Sequence, residues 1–365
     1  MYQRRIKSTH CPAAMNELYM PRRDWVPCLP YEETLMNVIK KTVTALTLGV
    51  ALAASMSAWA AQDRWTFDGD IHNNSLAVSP DETTAVVSYS QRPDVVVYDL
   101  KTGKVRQVLT GYVTPRNIVF SPTGDVFYLS DSSLGVVRKI DTKTLKVIAD
   151  IPLGAGAFGT TLSKDGSLLY VNNEAASTLS VIDLDHQRPV AVVLGFSQPR
   201  QGIRVSPDGK TVYVTNFLGD KITLVDSKTN TIEGEITGFN KLRAISISAD
   251  GNTLYAANSG SNSIAVVDTQ KRAITTTVMV GKDPYGAALT PDGLHVYSGN
   301  LGDNSLSVID TKTLKVTTTV TGLKAPRQAI VFTKDKSKAY VLNEDLSIST
   351  VDLASNKVVS TLKAD

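Results

Sequence analysis

Residues 206–226 read SPDGKTVYVTNFLGDKITLVD. The segment opens on a tight turn, Ser206-Pro207-Asp208-Gly209, in which proline presets φ and glycine accepts φ > 0. An apolar strand follows at Val212-Tyr213-Val214 and stops at the polar Asn216. A short loop leads to a second strand, and Asp226 closes it.

The same tetrad recurs, with drift, at Ser79, Ser121, Ser163, Ser206, Ser248, Thr290 and Thr333, in steps of 42, 42, 43, 42, 42 and 43 residues. A second marker keeps time with it: Asp99, Asp141, Asp183, Asp226, Asp268, Asp310 and Asp352 each close a third strand. Seven copies of short strands at this period predict an all-β, seven-bladed β-propeller, each blade a four-stranded antiparallel sheet. The first strand of each unit is short and apolar, as at 117–120 and 287–289, and with its small residues (Gly159-Thr160-Thr161, Ala287-Ala288, Gly202) it is expected to line the axis. The fourth, such as 315–320, mixes charge with threonine, as an outer edge requires. Asn216, Asn258, Asn300 and Asn343 are expected to end second strands and shape the loops beyond them.

At Val212-Tyr213-Val214-Thr215-Asn216 the chain resembles the YVTN-repeat β-propeller family of YncE-like proteins, with looser versions at 254–258, 296–300 and 339–343. The resemblance covers roughly residues 74–362 and implies the propeller fold. It implies no single function, because related propellers serve unrelated roles.

Residues 1–35 do not fit the rest. They hold four arginines, no apolar run and both cysteines, Cys11 and Cys28. We read them as an upstream extension, with Met36 as the start of a secretory signal. Lys40-Lys41 form its basic region, 42–56 its apolar run, and Ala58-Trp59-Ala60 its cleavage site. The apolar run is shorter than the ~20 residues needed to span a bilayer. A periplasmic or secreted bacterial protein is expected, with a single propeller domain over 61–365. That segment has no cysteine, which removes disulfides, thiol nucleophiles, zinc–thiolate sites and covalent haem. It carries 31 Lys+Arg against 31 Asp+Glu, so no global field draws it to nucleic acid or an anionic membrane. The expected mature form is a monomer.

In an antiparallel four-stranded blade, the 1→2 and 3→4 turns share one face and the 2→3 and 4→1 loops the other. The turn face is regular, and its many aspartates read as turn formers. The loop face varies. Just before the first strands stand Arg116, Arg200, Arg243 and Arg327, with Phe158, Tyr285 and the His72-Asn73-Asn74 run at the equivalent positions. Four arginines at one repeat offset would ring a mouth of the channel and suit a carboxylate or phosphate, with Phe158 and Tyr285 as apolar walls. The plain alternative is solvated arginines, or arginines paired with Glu174, Asp220, Asp303, Glu344 or Asp345.

The string Gly154-Ala155-Gly156-Ala157-Phe158-Gly159 matches GxGxxG, but a strand follows it rather than a helix, so it reads as a tight loop. Of the three histidines after residue 60, His72 maps to the mouth, His186 to a turn and His295 to a strand. No GxSxG, HExxH or CxxCH is present, and no cofactor or metal is indicated. The leading reading is a non-enzymatic scaffold that binds an anionic ligand or protein partner. The rivals are a lactonase-type propeller hydrolase using Glu174, Glu344, Asp303 or His72, a redox accessory protein gripping a quinone or haem-derived cofactor, and a single-stranded nucleic acid binder.

Overall fold

The computed structural model describes residues 71–364. The upstream extension 1–35 and the signal segment 36–60 lie outside those residues. Within them, 28 strands form seven four-stranded antiparallel sheets, each in simple sequence order. The chain is a seven-bladed β-propeller. Its blades span 74–109, 115–152, 157–194, 199–236, 242–279, 288–320 and 330–362. The only helical pieces among the described residues are two short 3-10 turns, Ser259–Ser261 and Leu301–Asp303.

Each blade is graded from axis to rim. First strands of adjacent blades face one another around the channel. Second and third strands are apolar on both sides, as Thr211–Asn216 and Lys221–Asp226 show, because each is covered by a neighbouring sheet. Fourth strands such as Thr231–Ile236 are mostly exposed. The core consists of seven apolar clusters, one at each blade-to-blade interface. The cluster joining the last blade to the first contains Tyr98, Leu342, Leu346 and Ile348, so apolar burial runs unbroken around the ring.

Residues 358–362 belong to the strand Lys357–Leu362, which pairs with Ile348–Asp352 inside its own blade and does not cross the seam. The described seam is tied by discrete bonds instead. Tyr98 Oη donates to the Leu346 carbonyl at 2.7 Å, Gln328 Nε2 to the Asn74 carbonyl at 2.6 Å, and the Lys334 amide to Glu82 Oε1 at 2.6 Å.

All seven blades shift register between their third and fourth strands, at Val97/Tyr98 and its six equivalents. A bulge there adds local twist, which suits the splayed outer half of a blade. The repeat markers have equally local causes. In the first tetrad, Ser79 Oγ donates to Asp81 Oδ1 at 2.5 Å and accepts the Thr84 amide at 3.0 Å. At the other landmark, Asp99 Oδ1 accepts the amides of Lys101 and Thr102. These aspartates stabilise their turns as charged acceptors.

Hydrogen bonds from Ser163 and Ser167 hold Asp165 at a pKa of about 2, and bonds from Thr333 and Ser337 do the same for Asp335. A carboxyl whose pKa is lowered by folding stabilises the fold above its unfolded value of about 3.9, and loses that contribution as pH falls through the folded value. Melting followed by circular dichroism is therefore expected to stay level from about pH 7 to 5 and to fall between about pH 4 and 2. Asp165→Asn should melt below the parent at neutral pH, and the gap should close toward pH 2.

Candidate functional site

The loop face is built by polar side chains at the ends of second strands. Asn216 Oδ1 accepts the Ser197 amide at 2.7 Å, Asn343 Oδ1 accepts the Lys324 amide at 2.9 Å, and Asp131 takes the amides of Val113 and Thr114. Each anchors a 4→1 loop. Two residues before the rim position, four of these loops pass through a left-handed residue: Gln198 (φ 50°), Lys241 (φ 51°), Asp283 (φ 49°) and Ala325 (φ 47°). That conformation is costly for residues with a Cβ. Side chains of the preceding blade's 2→3 loop offset the cost: Asp220 Oδ1 accepts the Leu242 amide, Asn262 Oδ1 the Asp283 amide and Asn304 Oδ1 the Ala325 amide.

The chain then enters its first strand, and in blades two to five the pairing with the second strand shifts register at that point. Arg116, Phe158, Arg200 and Arg243 lie within such irregular stretches. A bulge re-aims the side chain it carries.

The resulting side chains interleave. Arg200 lies over the Phe217 ring at 3.6 Å, and Arg243 lies over Phe217 at 4.8 Å and over Tyr285 at 4.4 Å. Arg327 lies over the other side of the sequence, against Tyr285 at 4.7 Å. The series Arg200, Phe217, Arg243, Tyr285, Arg327 runs unbroken across blades four to seven, and Arg116 stacks separately on Phe158 at 4.3 Å. Each such contact contributes about 0.5–2 kcal/mol, the more when desolvated.

The four arginines divide into two kinds. Arg116 is fully buried, its Nε donating to Ser132 Oγ at 2.9 Å and its Nη1 to the Ile71 carbonyl at 2.8 Å. Arg327 is also buried, with Nη1 directed at the His72 carbonyl at 3.4 Å. These two hold the chain entering blade one and so brace the seam. Arg200, Arg243, Phe217 and Tyr285 are half-buried and open to the mouth.

Glu174 lies 3.8 Å from Arg200, and Gln198 Oε1 accepts from its Nη2 at 3.3 Å. Burial pulls the Arg200 pKa down to about 10; Glu174 opposes the shift, while the like charges of Arg243 and Arg116 add to it. Arginine remains protonated at neutral pH, so this strip of the mouth is positive although residues 61–365 balance in charge.

Of the other expected residues, Phe158 is wholly buried under Arg116 and presents no wall to the mouth. His72 joins the rim through its carbonyl, and its imidazole lies 3.3 Å from Tyr89 Oη. Asp303 accepts from the Lys282 amide and Ser305, Asp220 from Leu242, and Asp345 pairs with Lys324 at 2.7 Å. Phe217 was not among the expected residues. Its signal is the position directly after the second strand, occupied in turn by Ser132, Glu174, Phe217 and Ser259, all of which meet an arginine. Among the described residues, no group of three or more His, Cys, Asp or Glu side chains could hold a metal ion.

Comparison with known proteins agrees with the architecture. A family described as "Lactonase, 7-bladed beta-propeller" matches residues 223–332, a stretch that contains Arg243, Tyr285 and Arg327. Antigen Lp49 of Leptospira interrogans is 27% identical over 176 residues, covering 46% of this chain and 38% of that protein. The seven-bladed beta-propeller protein Rv1057 of Mycobacterium tuberculosis is 30% identical over 101 residues, covering 27% of this chain and 26% of that protein. The chain thus matches less than two fifths of the length of either relative. Among solved structures, Kuenenia stuttgartiensis hydrazine synthase superposes with a TM-score of 0.70 at 19% identity, over 76% of this chain and 95% of that one, a likeness of fold.

The division of the arginines has a direct test. Arg116→Ala should destabilise the fold by about 2–4 kcal/mol, since it strips buried hydrogen bonds and leaves the Ile71 carbonyl without this donor. Arg243→Gln, at the open part of the mouth, loses stacking on half-exposed rings and should cost less, about 1 kcal/mol. Chemical denaturation of both variants measures the contrast.

Proposed function

We propose that this protein is an exported binding scaffold of the YVTN-repeat type, whose mouth grips an acidic segment of a partner or a small polyanion. The observation that carries this reading is the unbroken alternation of Arg200, Phe217, Arg243, Tyr285 and Arg327. Stacking uses the faces of the guanidinium groups. Their in-plane N–H donors remain for acceptor oxygens, and the rings hold the forks in fixed orientation. Arg200 and Arg243 are half-buried, so part of each guanidinium is open at the mouth to an incoming acceptor. The regular fit of 212–216 to the YVTN pattern supports the subfamily. The signal-like segment 36–60, with cleavage after Ala60, supports export to the periplasm or beyond, and one relative is described as an antigen.

A fluorescent hexaglutamate peptide and citrate are suitable probes. Binding is expected to weaken with salt, as screened charge contacts do, and to fall about tenfold or more in the Arg200→Gln/Arg243→Gln double variant, whose circular dichroism should show the propeller still folded at the assay temperature. Affinity that is indifferent to both salt and substitution would refute the reading.

The match to the lactonase description favours a second reading, hydrolysis of a lactone at the same mouth. Glu174, beside Arg200, is the carboxylate placed to take part. Turnover of a lactone panel, with and without added divalent cation, that is lost in Glu174→Gln would establish it in place of the first.

A further inference from the structure

The channel has a second charged feature that the mouth does not use. Arg204 lies on the first strand of blade four, near its turn-face end, and it lines two chambers. One, of about 290 Å³, lies beneath the mouth and is polar, walled by Asn74, Asn117, Thr160, Gln201 and Gln328. The other, of about 370 Å³, opens at the turn face and is largely apolar, walled by Ile247, Leu289, Ile330 and Phe332. Its volume falls within the ~300–1,000 Å³ of ordinary small-molecule sites.

Arg204 opens into the apolar chamber with donors to spare, and the Ser246 hydroxyl lies in the wall beside the space without a hydrogen-bond partner. Arg204 Nη1 donates to the Ile203 carbonyl at 2.8 Å, which fixes the plane of the guanidinium. Its Nε and Nη2 have no acceptor among the described residues, and no described carboxylate pairs with it. The side chain is reached by solvent from within the channel, yet protein surrounds it, and this desolvation lowers its pKa. Ser246, over nine-tenths buried, also lines the chamber, and its Oγ has no hydrogen-bond partner. Asp292, in the turn that borders the chamber, is engaged by Thr290 Oγ1 and the Leu294 amide.

We infer that the turn-face chamber is a second binding site, taking a monocarboxylate with a short apolar tail. The carboxylate meets the free Nε–Nη2 edge of Arg204 in a bidentate fork, Ser246 Oγ donates to one of its oxygens, and the tail lies along Ile247, Leu289 and Phe332. One guanidinium and one hydroxyl match one carboxylate. A phosphomonoester dianion would need more donors than this chamber offers, and a neutral alcohol would leave the fork unmet.

Isothermal titration with octanoate tests the inference, with acetate and 1-octanol as probes lacking the tail or the charge. Octanoate is expected to bind once per chain, with acetate and octanol each weaker by about tenfold or more. Arg204→Gln should lower octanoate affinity about tenfold or more, and Ser246→Ala about threefold. Ile247→Trp, which fills the chamber and leaves Arg204 in place, should also abolish binding, and it decides the matter if Arg204→Gln does not fold. The mouth variant Arg200→Gln/Arg243→Gln should bind octanoate within about twofold of the parent. No octanoate binding to the parent up to about 10 mM overturns the inference. So does affinity unchanged in both Arg204→Gln and Ile247→Trp. Loss in the mouth variant alone would place the carboxylate at the mouth and overturn it as well, while leaving the mouth reading intact.

Discussion

The structure depends on how closely the second strand of one blade approaches the first strand of the next. The contact is made against a carbonyl. Ser88 Oγ donates to the Arg116 carbonyl, Ser130 Oγ to that of Phe158, and Asn172 Nδ2 to that of Arg200. At the same offset, Gly299 lies so close to the Arg327 carbonyl that a Cβ would sit 2.0 Å from its oxygen. In these four blades, whether by hydrogen bond or by bare approach, the residue before the last of the second strand sets the height of the neighbouring rim residue. The rim side chains are therefore placed by backbone contacts below them together with the loop residues that meet them above. A carbonyl so engaged is also satisfied, which a buried polar group near a channel requires.

This arrangement explains what was legible in the sequence. The turn tetrads and strand-closing aspartates could be counted because their causes are local: each serine or aspartate bonds to backbone within a few residues. The offset that aligns Arg116, Arg200, Arg243 and Arg327 was legible for the same reason, since a closed ring of equal repeats turns sequence period into position. Phe217 escaped because it arrives from a different loop and answers to a different offset. The burial of Arg116 and Arg327 escaped because it depends on the chain entering blade one; for Arg327 that contact spans 255 residues of sequence. The recurrent bulge between third and fourth strands left no composition signal, because it displaces ordinary strand residues.

Charge follows the same logic. Residues 61–365 balance in Lys+Arg and Asp+Glu, yet the distribution is uneven. Aspartates concentrate in the turns, where backbone amides and hydroxyls occupy them, as at Asp81, Asp165 and Asp335. Arginines concentrate at the mouth and in the channel, where aromatic faces and carbonyls support them but do not neutralise them. A balanced total thus coexists with a positive axis, and the recognition chemistry resides in placement rather than in net charge.

The self-contained blades have a consequence for how freely the chain can be rewired. Every described sheet is completed by four consecutive strands, and no described strand is lent to a neighbour. A backbone cut between any two blades would divide an interface but leave each sheet whole. The described ring is thus closed by side-chain packing at seven equivalent joints, much as a barrel of staves is held. The order in which the described blades are written along the chain could therefore be rotated without redesigning any one sheet.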